Sequence, residues 1–320
     1  MPRPLHRVAL LLALVACNGD AGGERCEDPL VVRYADHAPS AFGPLADRGV
    51  ALVDGDSLAL LDGDAWTTHP LAPEIQPLAL VAGAADDVHL ITPGAILHHD
   101  GDALAPITVA GLTDDLHPAA LARDGDDVWV VGHTTPPGCP APCPNPAPMV
   151  LRVHGGVGEA ITSAGLPPML AHVDAADGAL YVLATKGLLR LVDGAWETFD
   201  VDAAALHVVS ADEVLLIDFA GALLRFDGER ADPIAPPADE PAAGYSWRSV
   251  TGFGPEALLV GTNAEGDGAA FVLAGDRLRL LLDTTPSSPL AALAHREGGF
   301  LWAQARDGAN ELWGFRCPAE

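Results

Sequence analysis

The chain has 320 residues, with 44 Asp or Glu against 17 Lys or Arg and a formal charge of −27. Since 49% of the residues are apolar, it can bury a core, and its acidity is that of a folded domain rather than of a disordered acidic segment. So negative a surface repels phosphate backbones, which excludes nucleic acid as a natural partner, while it can draw cations.

Residues Met1 to Ala16 open with Arg3 and Arg7 and continue as the apolar run Val8 to Ala16. This is a charged region followed by a short hydrophobic one, too brief to span a bilayer as a mature helix. The run ends in Leu14-Val15-Ala16-Cys17, which resembles the lipobox of bacterial lipoproteins. The resemblance implies a signal peptide cut before Cys17, acyl chains such as palmitate on that residue, and lipid anchoring to a bacterial membrane. The folded part would then sit in the cell envelope, on a periplasmic or surface face. Multiple chains on one residue meet the requirement for stable anchoring. Losing Arg3 and Arg7 with the signal would take the charge from −27 to −29. Residues 17–26 then form the lipidated Cys and a small, polar tether (NGDAGGER), and no later apolar run approaches the length of a membrane span.

With Cys17 set aside as the lipid carrier, Cys26, Cys139, Cys143 and Cys317 remain. Cys139 and Cys143 lie in GCPAPCPNPAP and are expected to close a small loop; Cys26 and Cys317 would tie the two ends of the folded part together. Two disulfides suit an oxidising compartment. The rival, a metal site from Cys-x3-Cys, lacks both zinc-knuckle spacing and a second pair.

From here the chain repeats. Its strongest strands are Val50–Val53, Val88–Ile91, Val128–Val131, Ala179–Leu183, Val214–Ile217, Ala257–Val260 and Phe300–Ala303, spaced about 42 residues apart. Most are preceded by an acidic or glycine turn, as in DDVHLIT and DDVWVVG. Most are followed by a second strand and another turn, as in GLLRLVDGAW. Earlier runs rich in Ala and Gly, such as Pro118–Ala122 and Met169–Val173, would be innermost strands crowding a central axis. This period is that of a four-stranded propeller blade. The expected fold is all-β, a propeller over residues 27–318 with seven four-stranded blades, six or eight being the neighbouring solutions. Leu30 to Tyr34 (LVVRY) belongs to no other copy, and the last copy lacks an outer strand after ELWGFRC. The N-terminal strand is therefore expected to close the last blade and remove an open edge.

The stretches DGALYVLATKGLLRLVDGAWETF and DDVWVVG resemble the repeats of two-component-regulator-type propellers. That resemblance also implies a β-propeller, one whose repeats serve sensing or binding rather than chemistry.

Candidate chemistry is sparse. The Asp-Gly pairs at Asp62, Asp100, Asp193 and Asp227 suit calcium by residue type, but none has the alternating ligand order with a distal Glu, and Asp-Gly is what hairpin corners demand. No cofactor is assigned, calcium being the one cation kept in view, and no residue is assigned as a metal ligand. The 12 histidines show no ligand spacing such as His-Glu-x-x-His. His172 and His207 read as equivalent, satisfied histidines of neighbouring inner strands, and His98-His99 as surface residues before a turn. Arg123, Asp174 and His295 share one position in the aligned repeats, so they are the candidate ligand-binding set, converging on the channel. No nucleophile with a base and an orienting group is present, so no catalytic residue is assigned.

Loop lengths are asymmetric. His133 to Pro148, Thr262 to Gly268 and Gln304 to Ala309 join second to third strands, and Ala235 to Ser246 links two blades. All would open on one face, where loops on a rigid scaffold carry binding. The reading is a membrane-anchored, non-catalytic binding propeller for a protein or glycan. Its alternative is a divalent-cation-dependent propeller hydrolase or lyase acting in the central channel.

Overall fold

The computed structural model describes residues 41–284, apart from breaks at 46–48, 63–64, 113, 140–142, 145, 162–164, 237–241, 254–255, 267 and 276, together with strands at 30–33, 290–294, 300–305 and 311–316. Cys17, Cys26, Cys317 and His295 lie outside the described residues, as do the signal and tether. Among the described residues every regular element is a strand, and no helix is long and apolar enough to cross a membrane.

The strands pair into seven sheets. Six of them, not seven, are blades built from consecutive strands. Blade 1 runs from Ala41 to Pro70, blade 2 from Ala79 to Pro106, blade 3 from Asp115 to Ala160, blade 4 from Leu170 to Phe199, blade 5 from Ala205 to Pro233 and blade 6 from Ser246 to Thr284. The remaining sheet is composite: Leu290–Ala294, Phe300–Ala305 and Glu311–Arg316 are joined by Leu30–Arg33 from the other end of the chain. Leu30 lies opposite Gly314 and Arg33 opposite Glu311, antiparallel. The innermost strand of each blade contacts the innermost strand of the next, and Leu290–Ala294 touches both Ser246–Phe253 and Ala41–Leu45. The architecture is thus an all-β propeller of four-stranded blades, with the expected N-terminal strand on the last sheet. Blade 3 departs from the pattern. Thr108–Val109, on the way in from blade 2, adds a fifth strand by pairing in parallel with Val157–Gly158.

Blade 4 shows why the sequence folds this way. Asp177-Gly178 and Asp193-Gly194 both have positive φ at their two central residues (54° and 78°, 51° and 78°), as a two-residue hairpin turn of the favoured hand requires. Between these turns the second strand, Ala179–Ala184, is buried on both faces, because a neighbouring blade covers each side. Leu180 and Val182 pack with Ala122, Val131 and Val150 of blade 3, while Tyr181 and Leu183 pack with Leu206, Val208 and Val214 of blade 5. Ile91 and Ile96 meet Val128 and Val130 in the same manner between blades 2 and 3. Each such Leu, Ile or Val removed from water contributes about 1.5–3 kcal/mol before entropy is counted. The outer strand Ala195–Phe199 is mostly exposed. The core is therefore a set of slabs between blades.

Two faces follow from the connectivity. Turns between first and second strands, and between third and fourth, open on one face, here called the turn face. Links between blades, and turns between second and third strands, open on the other, the link face. On the link face a hydrogen bond from Thr185 N to Met169 O joins the two kinds of connection in blade 4, and one from Trp247 N to Gly221 O ties the start of blade 6 to the blade 5 turn.

Candidate functional site at the seam of blades 2 and 3

Of the expected set, Arg123 and Asp174 are not brought together; its third member, His295, lies outside the described residues. Arg123 lies opposite Val128, one residue before the turn pair Asp124/Asp127. Asp174 lies opposite Tyr181, two residues before the turn pair Ala176/Ala179. A one-residue difference in register turns a side chain to the other face of its strand. The slip arises at the turns: blade 3 places glycine first (Gly125, φ 59°), whereas blade 4 places it second, after Asp177. Aligning the glycines displaces one repeat against the other. Arg123 accordingly reaches blade 2, where its guanidinium lies 2.6 Å from Asp87 Oδ2, whereas Asp174 accepts from the Nδ1 of His207 in blade 5 at 2.9 Å. His207 is buried and His172 exposed, so these two are not equivalent either; they lie opposite Leu215 and Leu183, two register steps apart.

What the structure does assemble is a cluster that sequence reasoning missed. Asp87 begins the second strand of blade 2, and His89 follows two residues later on the same face. His98, on the third strand, lies directly opposite His89. The two imidazoles stack with centroids 4.4 Å apart. His98 Nε2 is 3.1 Å and His89 Nδ1 3.4 Å from the same Asp87 oxygen, Oδ1. Arg123 approaches the other oxygen, with its guanidinium over Gly83, where a Cβ would come within 2.3 Å of Cζ. His99, expected at the surface, is 1% exposed and packs edge-on against His69 of blade 1.

Electrostatics set the charge of two members, Asp87 and His89. Burial presses the His89 pKa down to about 4; the neighbouring His98 and Arg123 add to this and Asp87 opposes it. Burial works to raise the Asp87 carboxyl, but the Arg123 hydrogen bond and charge, with the two histidines, hold it below its ordinary value. At neutral pH the site therefore contains an ionised carboxylate beside an uncharged His89. One imidazole and one carboxylate oxygen already face each other across hydrogen-bonding distance.

The same positions in other blades show what is particular here. Opposite-strand pairs equivalent to His89/His98 are Trp129/Arg152, Tyr181/Arg190 and Leu215/Arg225. In blades 3 and 5 the basic member binds the acid that starts the second strand, Asp127–Arg152 at 2.5 Å and Glu213–Arg225 at 3.0 Å. Asp87–His98 is the blade 2 version of this clip. Only there does the basic residue become histidine, and only there is an apolar or aromatic partner also replaced by histidine. Aligning the repeats on their turn pairs, rather than on their glycines, exposes this substitution in DDVHLIT and AILHHDG.

The link face carries different features. The hairpin of blade 3 is longer than expected: Asp127–Thr135 and Ala147–His154 stay paired as far as Thr134 opposite Ala147. His133 is thus a strand residue, stacked on His117 at 4.8 Å, and His117 Nε2 meets Thr135 Oγ1 at 3.0 Å. The expected Cys139–Cys143 disulfide closes the tip, with Cα atoms 5.6 Å apart. Large exposed apolar side chains stand on the same face: Phe219, 79% exposed, between second and third strands of blade 5, and Leu78 and Met169 on the links entering blades 2 and 4.

No family of known proteins matches the sequence, and no characterised relative matches it either. Solved structures do resemble it. U3-55K superposes with a TM-score of 0.65 at 13% identity, covering 92% of this chain and 100% of that one. The extracellular domain of the hybrid two-component system BT4673 from B. thetaiotaomicron gives 0.60 at 14% identity, over 93% of this chain and 40% of that one. YCF48 bound to D1 peptide gives 0.51 at 17% identity, over 79% and 80%. At these identities the likeness is one of fold: the chain is a β-propeller.

Proposed function

We propose that this chain is a non-catalytic binding propeller, held at a bacterial membrane through lipidated Cys17, whose link face takes an apolar segment of a protein partner. The composite sheet serves as the seventh blade and closes the ring. The observation that carries the reading is that Phe219, Leu78 and Met169, from three different blades, all stand on the face that also bears the disulfide-closed tip of blade 3. Exposed apolar side chains on one face mark interaction surfaces, and a rigid scaffold with a cross-linked loop limits the entropy lost on binding. Two of the similar structures, a propeller with a bound peptide and an extracellular domain, are compatible with this use of the fold.

Photo-cross-linking in the native envelope tests it. A cross-linker at Phe219 or Met169 should yield one discrete protein adduct, and one at Val157, on the turn face and 60% exposed, should not. Equal labelling from both faces would refute the assignment. Intact-mass measurement of the envelope-extracted protein tests the anchor: acyl chains on Cys17 are expected, and an unmodified thiol would sink it.

A further inference from the structure

We propose that Asp87, His89 and His98 form a binding site for a first-row transition dication, zinc foremost, on the turn face of blade 2. The three ligand atoms lie within 4.8 Å of one another. A tetrahedral zinc with bonds of about 2.0–2.1 Å sets its ligand atoms roughly 3.3 Å apart. Two of the three separations, 3.1 Å from Asp87 Oδ1 to His98 Nε2 and 3.4 Å to His89 Nδ1, already have this value.

The second observation is the state of His89. It is 5% exposed, yet its Nδ1 makes no hydrogen bond and lies 3.4 Å from the Asp87 oxygen. A buried polar atom left unpaired costs about 1–3 kcal/mol, and most are satisfied in folded proteins. A cation between Nδ1 and Oδ1 satisfies it. The equivalent positions Trp129, Tyr181 and Leu215 show that the blade needs no histidine there for packing.

Arg123 occupies the remaining Asp87 oxygen, leaving Oδ1 for the metal. A group that holds the free oxygen of a ligating carboxylate fixes its orientation, at the cost of a nearby positive charge. Two imidazoles and one carboxylate suit zinc and its neighbours rather than calcium, which takes six to eight oxygen ligands. His98 and Asp87 are partly exposed, so the ion has an entry path and at least one open coordination position. The site is remote from the link face and needs no partner to form.

The test is titration of metal-stripped, tag-free full-length protein with zinc and with calcium, supported by the visible spectrum of the cobalt form. One equivalent of zinc should bind with micromolar or tighter affinity, and cobalt should give the intense bands of a tetrahedral site. His98→Gln, at the partly exposed ligand, and His89→Gln, at the buried one, should each weaken zinc at least tenfold and abolish the bands. Zinc should raise the melting temperature of the parent and not of His98→Gln, which separates ligation from misfolding. No zinc binding, binding unchanged in His98→Gln, or calcium in preference to zinc would overturn the proposal.

Discussion

The carboxylate of Asp174, on the inner strand of blade 4, accepts from both the ring Nδ1 of His207 (2.9 Å) and the amide of Val208 (2.8 Å) on the inner strand of blade 5. One side chain thus couples two blades at the level of the channel. His207 is 3% exposed and its Nε2 makes no hydrogen bond, so Asp174 is the partner that satisfies its ring. Asp174→Ala should cost roughly 1–3 kcal/mol of stability, the penalty for a buried donor left unpaired. Asp174→Asn, which keeps an acceptor, should cost less. Denaturant unfolding monitored by Trp fluorescence checks both, and an unchanged midpoint in Asp174→Ala would show that the contact contributes nothing.

Gly132 is required by close approach. A Cβ there would lie 2.2 Å from His117 O and 2.9 Å from Pro118 Cα, both backbone, beside the irregular register at Pro118/Ala120. Backbone cannot rotate aside as a side-chain tip can. Gly132→Ala should destabilise by about 1–3 kcal/mol, as overpacking does, and should perturb the whole blade 3 hairpin. Amide exchange rising across Asp127–Thr135 would confirm this, and parent-like protection would refute it.

Acid sensitivity should be detectable at His133. Burial and the adjacent His117 lower its pKa from the ordinary value near 6.5. Its folded form therefore resists a proton that the unfolded chain accepts. Stability linked to this group is fully present above pH 6.5 and is lost as pH falls below it toward the folded pKa. His133→Gln should flatten the decline in melting temperature between pH 6.5 and 5. An identical slope in parent and variant would show that His133 does not contribute to it.

Removing the strand Leu30–Arg33 should leave the backbone of Glu311–Arg316 without its antiparallel partner. An uncovered edge pairs with other molecules. A chain truncated through residue 33 should elute as dimers and larger species, whereas the parent should be monodisperse; a monomeric truncation would mean that something else covers the edge.

The sequence announced the propeller because its second strands are buried on both sides and its turns need particular residues. The runs Val50–Val53 and Ala257–Val260 sit inside strands Gly49–Asp54 and Glu256–Thr262, with Val50, Val53 and Val260 fully buried. The odd strand LVVRY was placed correctly because an unfilled edge and an unused strand are complementary. The site was less legible. Side-chain direction depends on register to the residue, and register here is set at a two-residue turn where either position accepts glycine. That single ambiguity grouped Arg123 with Asp174, which belong to different seams, and hid the pairing of His89 with His98. His99 was misassigned for a related reason: an outward position on an isolated blade becomes an inward one when His69 of the preceding blade lies against it.

In the composite sheet Leu30 sits beside Gly314, so the first strand enters where the last strand leaves. The described polypeptide is cyclic in all but a short connection, and its origin is topologically arbitrary. Bridging the two ends with a brief linker and opening the chain at an exposed corner such as Asp193-Gly194 should give a circular permutant with the same blades. In that molecule the chain ends would leave from blade 4 instead of from the composite sheet, while both faces stay intact.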